Sequence, residues 1–107
     1  MTQPTVLIID DEPDILELLE MTLGRMDLLT RRASTLEQAL ALLDAESFDL
    51  CLTDMRLPDG DGMTIVRHIQ QHCPATPVAM ITAFGSLDTA INALKAGAFD
   101  FLTKPVD

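Results

Sequence analysis

Short apolar runs alternate with segments of helical periodicity along the whole chain, and this alternation limits the fold more than any other feature of the sequence. It is typical of βαβ units arranged around a parallel sheet. The predicted strands are residues 6–9, 28–33, 50–53, 78–81 and 99–103. Three of these are almost wholly apolar, as expected of strands that helices cover on both faces. The sequence therefore predicts an open α/β sheet with a helical layer on each side.

Apolar residues at helical spacing predict four helices between the strands. The four stripes are Ile15, Leu18, Leu19, Thr22 and Met26; Leu36, Ala39, Leu40 and Leu43; Ile65, Val66, Ile69 and Cys73; and Leu87, Ala90, Ile91 and Leu94. Pro13 suits the first turn of the first helix, and Thr35 with Gln38 forms a capping box before the second. We expect all four stripes to pack as ordinary core.

Length, charge and cysteine content limit the class of protein. The 107 residues predict a single domain over positions 1–107. The 17 Asp and Glu residues outnumber the 7 Lys and Arg residues, and the formal net charge of −10 disfavours direct binding to nucleic acid or to an anionic membrane. The first apolar run is too short for a signal or spanning segment, which favours a soluble cytoplasmic protein. Cys51 and Cys73 form no C-x-x-C pair, so ordinary reduced thiols are expected.

Charged and hydroxyl side chains follow the predicted strands at the edge of the sheet where open α/β folds bind ligands. They are Asp10, Asp11 and Glu12 after the first strand, Asp54 after the third, Thr82 after the fourth and Lys104 after the fifth. Two carboxylates about 4 Å apart repel by about 4 kcal/mol at an effective dielectric of about 20, so the cluster needs a proton or a cation. Hard oxygen ligands of this kind favour Mg²⁺. A carboxylate nucleophile beside a cation, an ammonium and a hydroxyl is suited to accepting a phosphoryl group.

Each of these residues also has an ordinary structural explanation. Asp10 and Asp11 are suitable caps for the first helix, and Asp54 is a suitable start for the turn at residues 57–60. Lys104 would then be a surface lysine. The position of every member at a strand end favours a shared site over these separate explanations.

Four segments together resemble the receiver domain of bacterial response regulators, the phosphorylated half of two-component signalling. They are residues 6–12 (VLIIDDE), 54–62 (DMRLPDGDG), 81–83 (ITA) and 100–105 (DFLTKP). Residues 84–87 (FGSL) and Phe101 make the chain most similar to receivers of enhancer-binding, sigma-54-dependent transcription activators. The resemblance implies a doubly wound, flavodoxin-like fold with five parallel strands in the order 2-1-3-4-5 and a fifth helix after the Lys104–Pro105 pair. Because the sequence stops at Asp107, we expect an N-terminal part of a longer regulator.

The resemblance implies an acceptor and a metal site. Asp54 would accept the phosphoryl group from a sensor histidine kinase. Asp11, Asp54 and the backbone carbonyl of Arg56 would bind Mg²⁺, and Asp10 would assist through water. The domain would carry out self-phosphotransfer and slow self-dephosphorylation rather than act as an enzyme on other substrates.

It also implies the groups that hold and report the phosphoryl group. Lys104 and Thr82 would bind its oxygens, assisted by backbone N–H groups near Met55 and Ala83, and Phe101 would be the aromatic switch. The surface shared by the fourth helix and the fifth strand would change on phosphorylation. Its candidate residues are Leu87, Ile91, Leu94 and Lys95, for which burial in the core is the alternative. An effector domain in the same parent chain and a homodimer formed on phosphorylation are the expected partners.

Three other functions fit parts of the sequence. A pseudo-receiver would share the fold and never take phosphate, although intact Asp11, Asp54, Thr82 and Lys104 argue against it. A small phosphatase with an aspartate nucleophile needs a second Asp two residues later, where this chain has Arg56. A flavin carrier of the flavodoxin type would place its cofactor phosphate beside an acidic turn that repels it.

Overall fold

The computed structural model describes residues 3–82, 91, 94–98 and 100–103, with the backbone alone at 82 and 101–103. Its elements in chain order are β1 (Thr5–Ile9), α1 (Pro13–Gly24), β2 (Leu29–Ala33), α2 (Leu36–Ala45), β3 (Leu50–Asp54), β4 (Arg56–Leu57), β5 (Gly60–Asp61), α3 (Gly62–His72), β6 (Val78–Thr82) and β7 (Asp100–Thr103). The main sheet has the order β2-β1-β3-β6-β7, and each neighbouring pair is parallel. This confirms the predicted order 2-1-3-4-5. The pair β4 and β5 forms a separate antiparallel hairpin, where the sequence pattern predicts only a turn.

Strand register brings the carboxyl ends of the central strands to one edge of the sheet. Ile9 of β1 pairs with Thr53 of β3, Asp54 with Ile81 of β6, and Thr82 with Thr103 of β7. Residues that end these strands or directly follow them are therefore close in space although they are far apart in sequence. The candidate functional site is formed by residues at this edge of the sheet.

The core lies on both faces of the sheet, as a doubly wound fold requires. Along β1, Leu7 and Ile9 belong to the cluster covered by α2 and α3, whereas Val6 and Ile8 belong to the cluster covered by α1. All four side chains are almost completely buried. Burying one such side chain contributes about 1.5–3 kcal/mol. The alternation explains why this strand contains only apolar residues.

The stripes predicted for α2 and α3 are confirmed. Ala39 and Leu43 are buried in α2, with Leu36 and Leu40 packed against the same cluster. In α3 the buried side chains are Ile65, Val66 and Ile69, and Cys73 is partly buried at its end. Both helices cover the face of the sheet on which the side chains of Leu7 and Ile9 lie.

The stripe predicted for α1 is wrong by about one helical position. Leu16 and Leu23 are buried and Leu19 packs beside them, whereas Leu18, Thr22 and Met26 are exposed. Neighbouring apolar pairs on this helix allow two stripes, and packing against β1 and β3 selects the one that contains Leu16. The helix also ends at Gly24, so the spacing to Met26 has no helical meaning.

The fourth predicted stripe is exposed wherever the structure describes it. Residues 91 and 94–96 are helical, and the side chains of Ile91 and Leu94 are 39% and 48% exposed. Their burial as core is therefore wrong, and their exposure, with that of Lys95 beside them, agrees with the candidate contact surface. Leu87 and Ala90 lie outside the described residues. Gly97 follows with a φ of 121°, a conformation that glycine commonly provides where a helix ends.

β2 is the outer strand of the sheet and carries charged side chains. Arg31 and Arg32 are exposed, and they form ion pairs with Glu46 and Glu20 respectively. Exposed ion pairs of this type contribute at most about 1 kcal/mol, so they do not account for the stability of the sheet.

Cys51 lies on the central strand β3 and is buried there. Burial raises the pKa of its thiol far above the ordinary value. Within the described part of the chain, no helix has both the length and the apolar character needed to span a bilayer.

Candidate functional site

Four carboxylates meet at the carboxyl edge of the sheet. Asp10 directly follows β1 and Asp54 ends β3, and these strands are neighbours. Asp11 and Glu12 extend the group, and ligand oxygens of all four residues lie within 4.8 Å of one another. Among the residues that the structure describes, no other group of three or more potential ligands is this close. The predicted convergence of Asp10, Asp11, Glu12 and Asp54 is confirmed.

The cluster has a buried and an exposed half. Asp10 and Asp54 are only 2% and 6% exposed, whereas Asp11 and Glu12 are exposed. Carboxylates in a partly dehydrated site interact more strongly than in water, which makes a cation favourable there. An octahedral cation with ligands at about 2.0–2.1 Å spans roughly 4 Å between opposite oxygens. The separations in the cluster therefore suit one hard cation after small side-chain adjustments.

The alternative role of the acidic run as a helix cap does not match the structure. The cap position of α1 is Glu12, whose side chain makes no capping hydrogen bond. Asp10 instead accepts a hydrogen bond from the Glu12 backbone N–H through Oδ1, at 2.8 Å. This bond turns the chain directly after β1 and keeps the Asp10 carboxylate at the sheet edge.

The loop after Asp54 is closed by the β4–β5 hairpin and the start of α3. The Gly62 backbone N–H donates to the Met55 carbonyl at 2.7 Å. A Cβ atom on Gly62 would lie 2.1 Å from the Asp54 carbonyl oxygen, so only glycine allows this approach. The Thr53 hydroxyl also donates to that oxygen, at 3.0 Å. The backbone of Met55 and Arg56, to which the resemblance assigns binding roles, is therefore held directly beside the acceptor candidate.

The turn of this hairpin is bound to the start of α2 by Asp59. Its Oδ1 accepts from the Leu36 N–H at 2.7 Å and its Oδ2 from the Glu37 N–H at 3.0 Å. These two hydrogen bonds lower the pKa of the Asp59 carboxyl below its ordinary value. Local sequence patterns contain no signal for this contact, because the partners are more than 20 residues apart.

Asp59 also supplies part of the N-terminal cap of α2. The sequence predicts a capping box of Thr35 and Gln38 at this position. Thr35 accepts from the Gln38 N–H at 3.1 Å, as predicted. The Gln38 side chain binds the Ser34 N–H at 2.9 Å rather than the Thr35 N–H, so the reciprocal half of the box is wrong by one residue. The remaining N–H groups at 36 and 37 are those that Asp59 satisfies.

The other predicted site residues are described only in part. The backbone places Thr82 at the end of β6 and Phe101 within β7, at the edge and in the sheet as expected. The side chains of both residues, together with Ala83 and Lys104, lie outside the described residues. Their predicted roles therefore remain predictions.

Residues 6–107 match the family described as the response regulator receiver domain. The chain belongs to this family. The match covers almost the whole sequence, so the receiver fold accounts for every element described above. The predicted resemblance is confirmed.

The curated relatives that this receiver matches are several times longer than it is. It is similar to the response regulator protein PilR of Pseudomonas aeruginosa, with 70% identity over 107 residues that make up 100% of this chain and 24% of that protein. It is also similar to the DNA-binding transcriptional regulator NtrC of Proteus hauseri, with 37% identity over 107 residues, 100% of this chain and 23% of that protein. The chain thus spans about a quarter of the length of the curated relatives it matches. The NtrC match agrees with the predicted resemblance to receivers of transcription activators.

A solved structure gives the same result for the fold. The receiver is similar to the beryllofluoride-activated NtrC4 receiver domain dimer, determined in solution, with a TM-score of 0.89 and 36% sequence identity. The similarity covers 96% of this chain and 85% of that chain. The doubly wound, flavodoxin-like fold class is therefore confirmed.

Proposed function

We propose that this receiver is a phosphorylation-dependent switch in which Asp54 accepts a phosphoryl group from a sensor histidine kinase. The observation that carries the proposal is the nearly buried Asp54 carboxylate at the sheet edge, within reach of three further carboxylates. A carboxylate oxygen of Asp54 forms a bond to phosphorus while the P–N bond of the phosphohistidine breaks. The bonding electron pair returns to the imidazole nitrogen, and Asp54 becomes an acyl phosphate.

We further propose that Mg²⁺ is the cofactor, held by Asp11, Asp54 and the Arg56 carbonyl, with Asp10 acting through water. When bound, the ion neutralises negative charge on the carboxylates and on the incoming phosphoryl oxygens. The residues present fit this role, because the cluster offers only oxygen ligands, and Asp11 among the proposed carboxylate ligands is exposed to solvent. Asp10 contributes by fixing the turn after β1, which orients Asp11 next to it.

Substituting Asp54 with Asn should have opposite effects on stability and on metal binding. Without metal, Asp54→Asn should raise the free energy of unfolding by on the order of 1 kcal/mol, because it removes one of the repelling carboxylates. With Mg²⁺ at about 100 times its Kd, the parent should gain about 2.7 kcal/mol, and the variant clearly less. Urea melts with a chelator and with Mg²⁺ measure both quantities. A loss of metal-free stability in the variant would contradict the repulsion argument.

The proposed switch connects Asp54 to the surface that bears Ile91 and Leu94. Thr82 would donate its hydroxyl to a phosphoryl oxygen, Lys104 would pair with the same group, and backbone N–H groups near Met55 and Ala83 would assist. Inward movement at Thr82 would make room for Phe101. Changing a population from about 1% to 99% requires roughly 5.5 kcal/mol, more than one hydroxyl hydrogen bond supplies. Lys104, the cation and partner binding must therefore share the stabilisation.

Phosphorylation followed by an NMR readout tests this switch. In the parent, acetyl phosphate with Mg²⁺ should shift backbone amide signals across residues 83–103. Thr82→Ala should still be phosphorylated on Asp54, with clearly smaller amide shifts over the same residues, because the hydroxyl contact is lost. Equal shifts in the two proteins would rule out the coupling through Thr82. A parent that takes phosphate without any such shifts would rule out the switch itself.

The exposed surface of the fourth helix is the proposed partner contact. Ile91 and Leu94 expose apolar area beside the exposed Lys95, a combination suited to a phosphorylation-dependent homodimer. The dimer of the similar NtrC4 receiver supports the association of two copies. We propose that residues 1–107 are the N-terminal receiver of a longer cytoplasmic regulator whose effector domain controls transcription, as the NtrC match supports.

A pseudo-receiver that never takes phosphate is the alternative function. Absence of phosphorylation of the parent protein by acetyl phosphate would favour it.

A further inference from the structure

The β4–β5 hairpin is too small to hold its own geometry. Each strand contributes two residues, and even longer isolated hairpins are only marginally stable in water. The hairpin nevertheless carries Arg56 and directly follows Met55, the two residues whose backbone groups the proposed function uses. Contacts with the rest of the domain must therefore fix its position.

Contacts at three different places hold the hairpin within the part of the chain that the structure describes. Its base is closed by the hydrogen bond from Gly62 N–H to Met55 O, at 2.7 Å. Leu57 is 8% exposed and anchors the first strand in the core. The turn is held by the Asp59 carboxylate, which accepts from two successive backbone N–H groups of α2.

The turn and α2 are also in close van der Waals contact. A Cβ atom on Gly60 would lie 2.5 Å from a terminal methyl carbon of Leu36, so the turn has little free space beside the helix. Both carboxylate oxygens of Asp59 accept hydrogen bonds from the same first turn of α2, at Leu36 and Glu37. The combination fixes the direction of the turn as well as its distance from α2.

We propose that Asp59 is a positioning residue for the phosphorylation site, which fixes the β4–β5 hairpin against α2 and thereby sets the Arg56 carbonyl and the Met55 N–H beside Asp54. The proposal rests on the proposed function of these backbone groups. Asp59 touches neither the cation nor the phosphoryl group in this role. Its substitution should therefore weaken cation binding by releasing the turn, while Asp10, Asp11 and Asp54 stay in place.

The test compares Asp59→Ala with two matched variants of the full chain. Asp61→Asn removes the same charge from the same hairpin and keeps a capping oxygen for the Thr64 N–H. Thr35→Ala removes the other side-chain cap of α2 and leaves the hairpin contacts intact. Amide signals of Asp10 and Asp11, followed during titration with Mg²⁺, give the affinity. Hydrogen exchange at the Gly62 N–H without metal reports directly on opening of the hairpin.

Asp59→Ala should weaken Mg²⁺ binding roughly tenfold, the lower end of the range for groups that orient metal ligands. It should also speed exchange at the Gly62 N–H and slow labelling by acetyl phosphate. Asp61→Asn and Thr35→Ala should keep the parental affinity within about twofold, although Thr35→Ala will lower the urea midpoint. If Asp59→Ala fails to fold, Asp59→Asn, which keeps one good acceptor, should give an intermediate affinity.

Two outcomes would overturn the inference. One is an Mg²⁺ affinity for Asp59→Ala equal to that of Asp61→Asn, which would make Asp59 a helix cap and nothing more. The other is unchanged exchange at the Gly62 N–H. A parent that binds Mg²⁺ but takes no phosphate would instead contradict the proposed function and leave the affinity comparison valid. A parent that binds no Mg²⁺ would refute both the metal proposal and the role of Asp59 toward it.

Discussion

Acetyl phosphate in the presence of Mg²⁺ is expected to add one phosphoryl group to this receiver, and Asp54→Asn is expected to abolish the addition. Asp54 is the carboxylate of the cluster that is both nearly buried and part of a central strand, so it is desolvated and fixed. A fixed nucleophile beside a cation needs little reorganisation to reach the transition state. Intact-mass analysis over time gives the extent of labelling directly.

The control for this experiment is Asp27→Asn. It removes the same single charge, and Asp27 lies outside the acidic cluster at a φ of 61°, a backbone conformation that Asn adopts as readily as Asp. Asp27→Asn should be labelled at the parental rate. Undiminished labelling of Asp54→Asn would show that the assigned acceptor is wrong.

Gly62→Ala is expected to cause the largest loss of stability among single-methyl additions in the site. The added carbon would lie 2.1 Å from the Asp54 carbonyl oxygen and 3.0 Å from the Met80 sulfur, so the Asp54 backbone would have to move to accept it. We expect a loss of about 3 kcal/mol, which exceeds the gain of roughly 1 kcal/mol in helix propensity. Because the displaced backbone belongs to Asp54, labelling by acetyl phosphate should fall as well.

Gly24→Ala is the matched control for this steric argument. Gly24 ends α1, and a Cβ atom there would meet no described atom within 4 Å apart from those of its chain neighbours and of the adjoining helix backbone. The same substitution should therefore raise stability by about 0.5–1 kcal/mol and leave labelling unchanged. Urea denaturation of both variants measures the difference. A loss for Gly62→Ala no larger than the change for Gly24→Ala would contradict the close approach of α3 to Asp54.

Sequence patterns predict the layers and the strand edge well because both depend on local periodicity. Runs such as residues 6–9 have no polar residue that could face solvent, so a doubly covered parallel strand is the main way to place them. Once the strands are assigned, Asp10 and Asp54 fall at the same carboxyl edge, and the strand order 2-1-3 that the resemblance implies makes them neighbours. This reasoning recovers the acidic half of the site without any knowledge of side-chain positions.

The remaining features depend on contacts between distant parts of the chain. Periodicity cannot choose between the two apolar stripes of α1, because the choice of Leu16 over Leu18 is made by the sheet beneath. It also cannot show that the Leu94 side chain is 48% exposed. Asp59 is predicted only as a turn residue, since its function depends on backbone N–H groups of a helix earlier in the chain.

The charged outer strand β2 restricts how two copies of this receiver can associate. An open sheet has unpaired hydrogen-bonding groups at its margins, and another chain can extend it by strand addition. At the β2 margin such a chain would have to approach the exposed Arg31 and Arg32 and their glutamate partners, at the cost of desolvating four charges. Continuous-sheet assembly through β2 is therefore disfavoured. This restriction at β2 is compatible with the dimer proposed above, which uses the helical surface of Ile91 and Leu94 rather than a sheet edge.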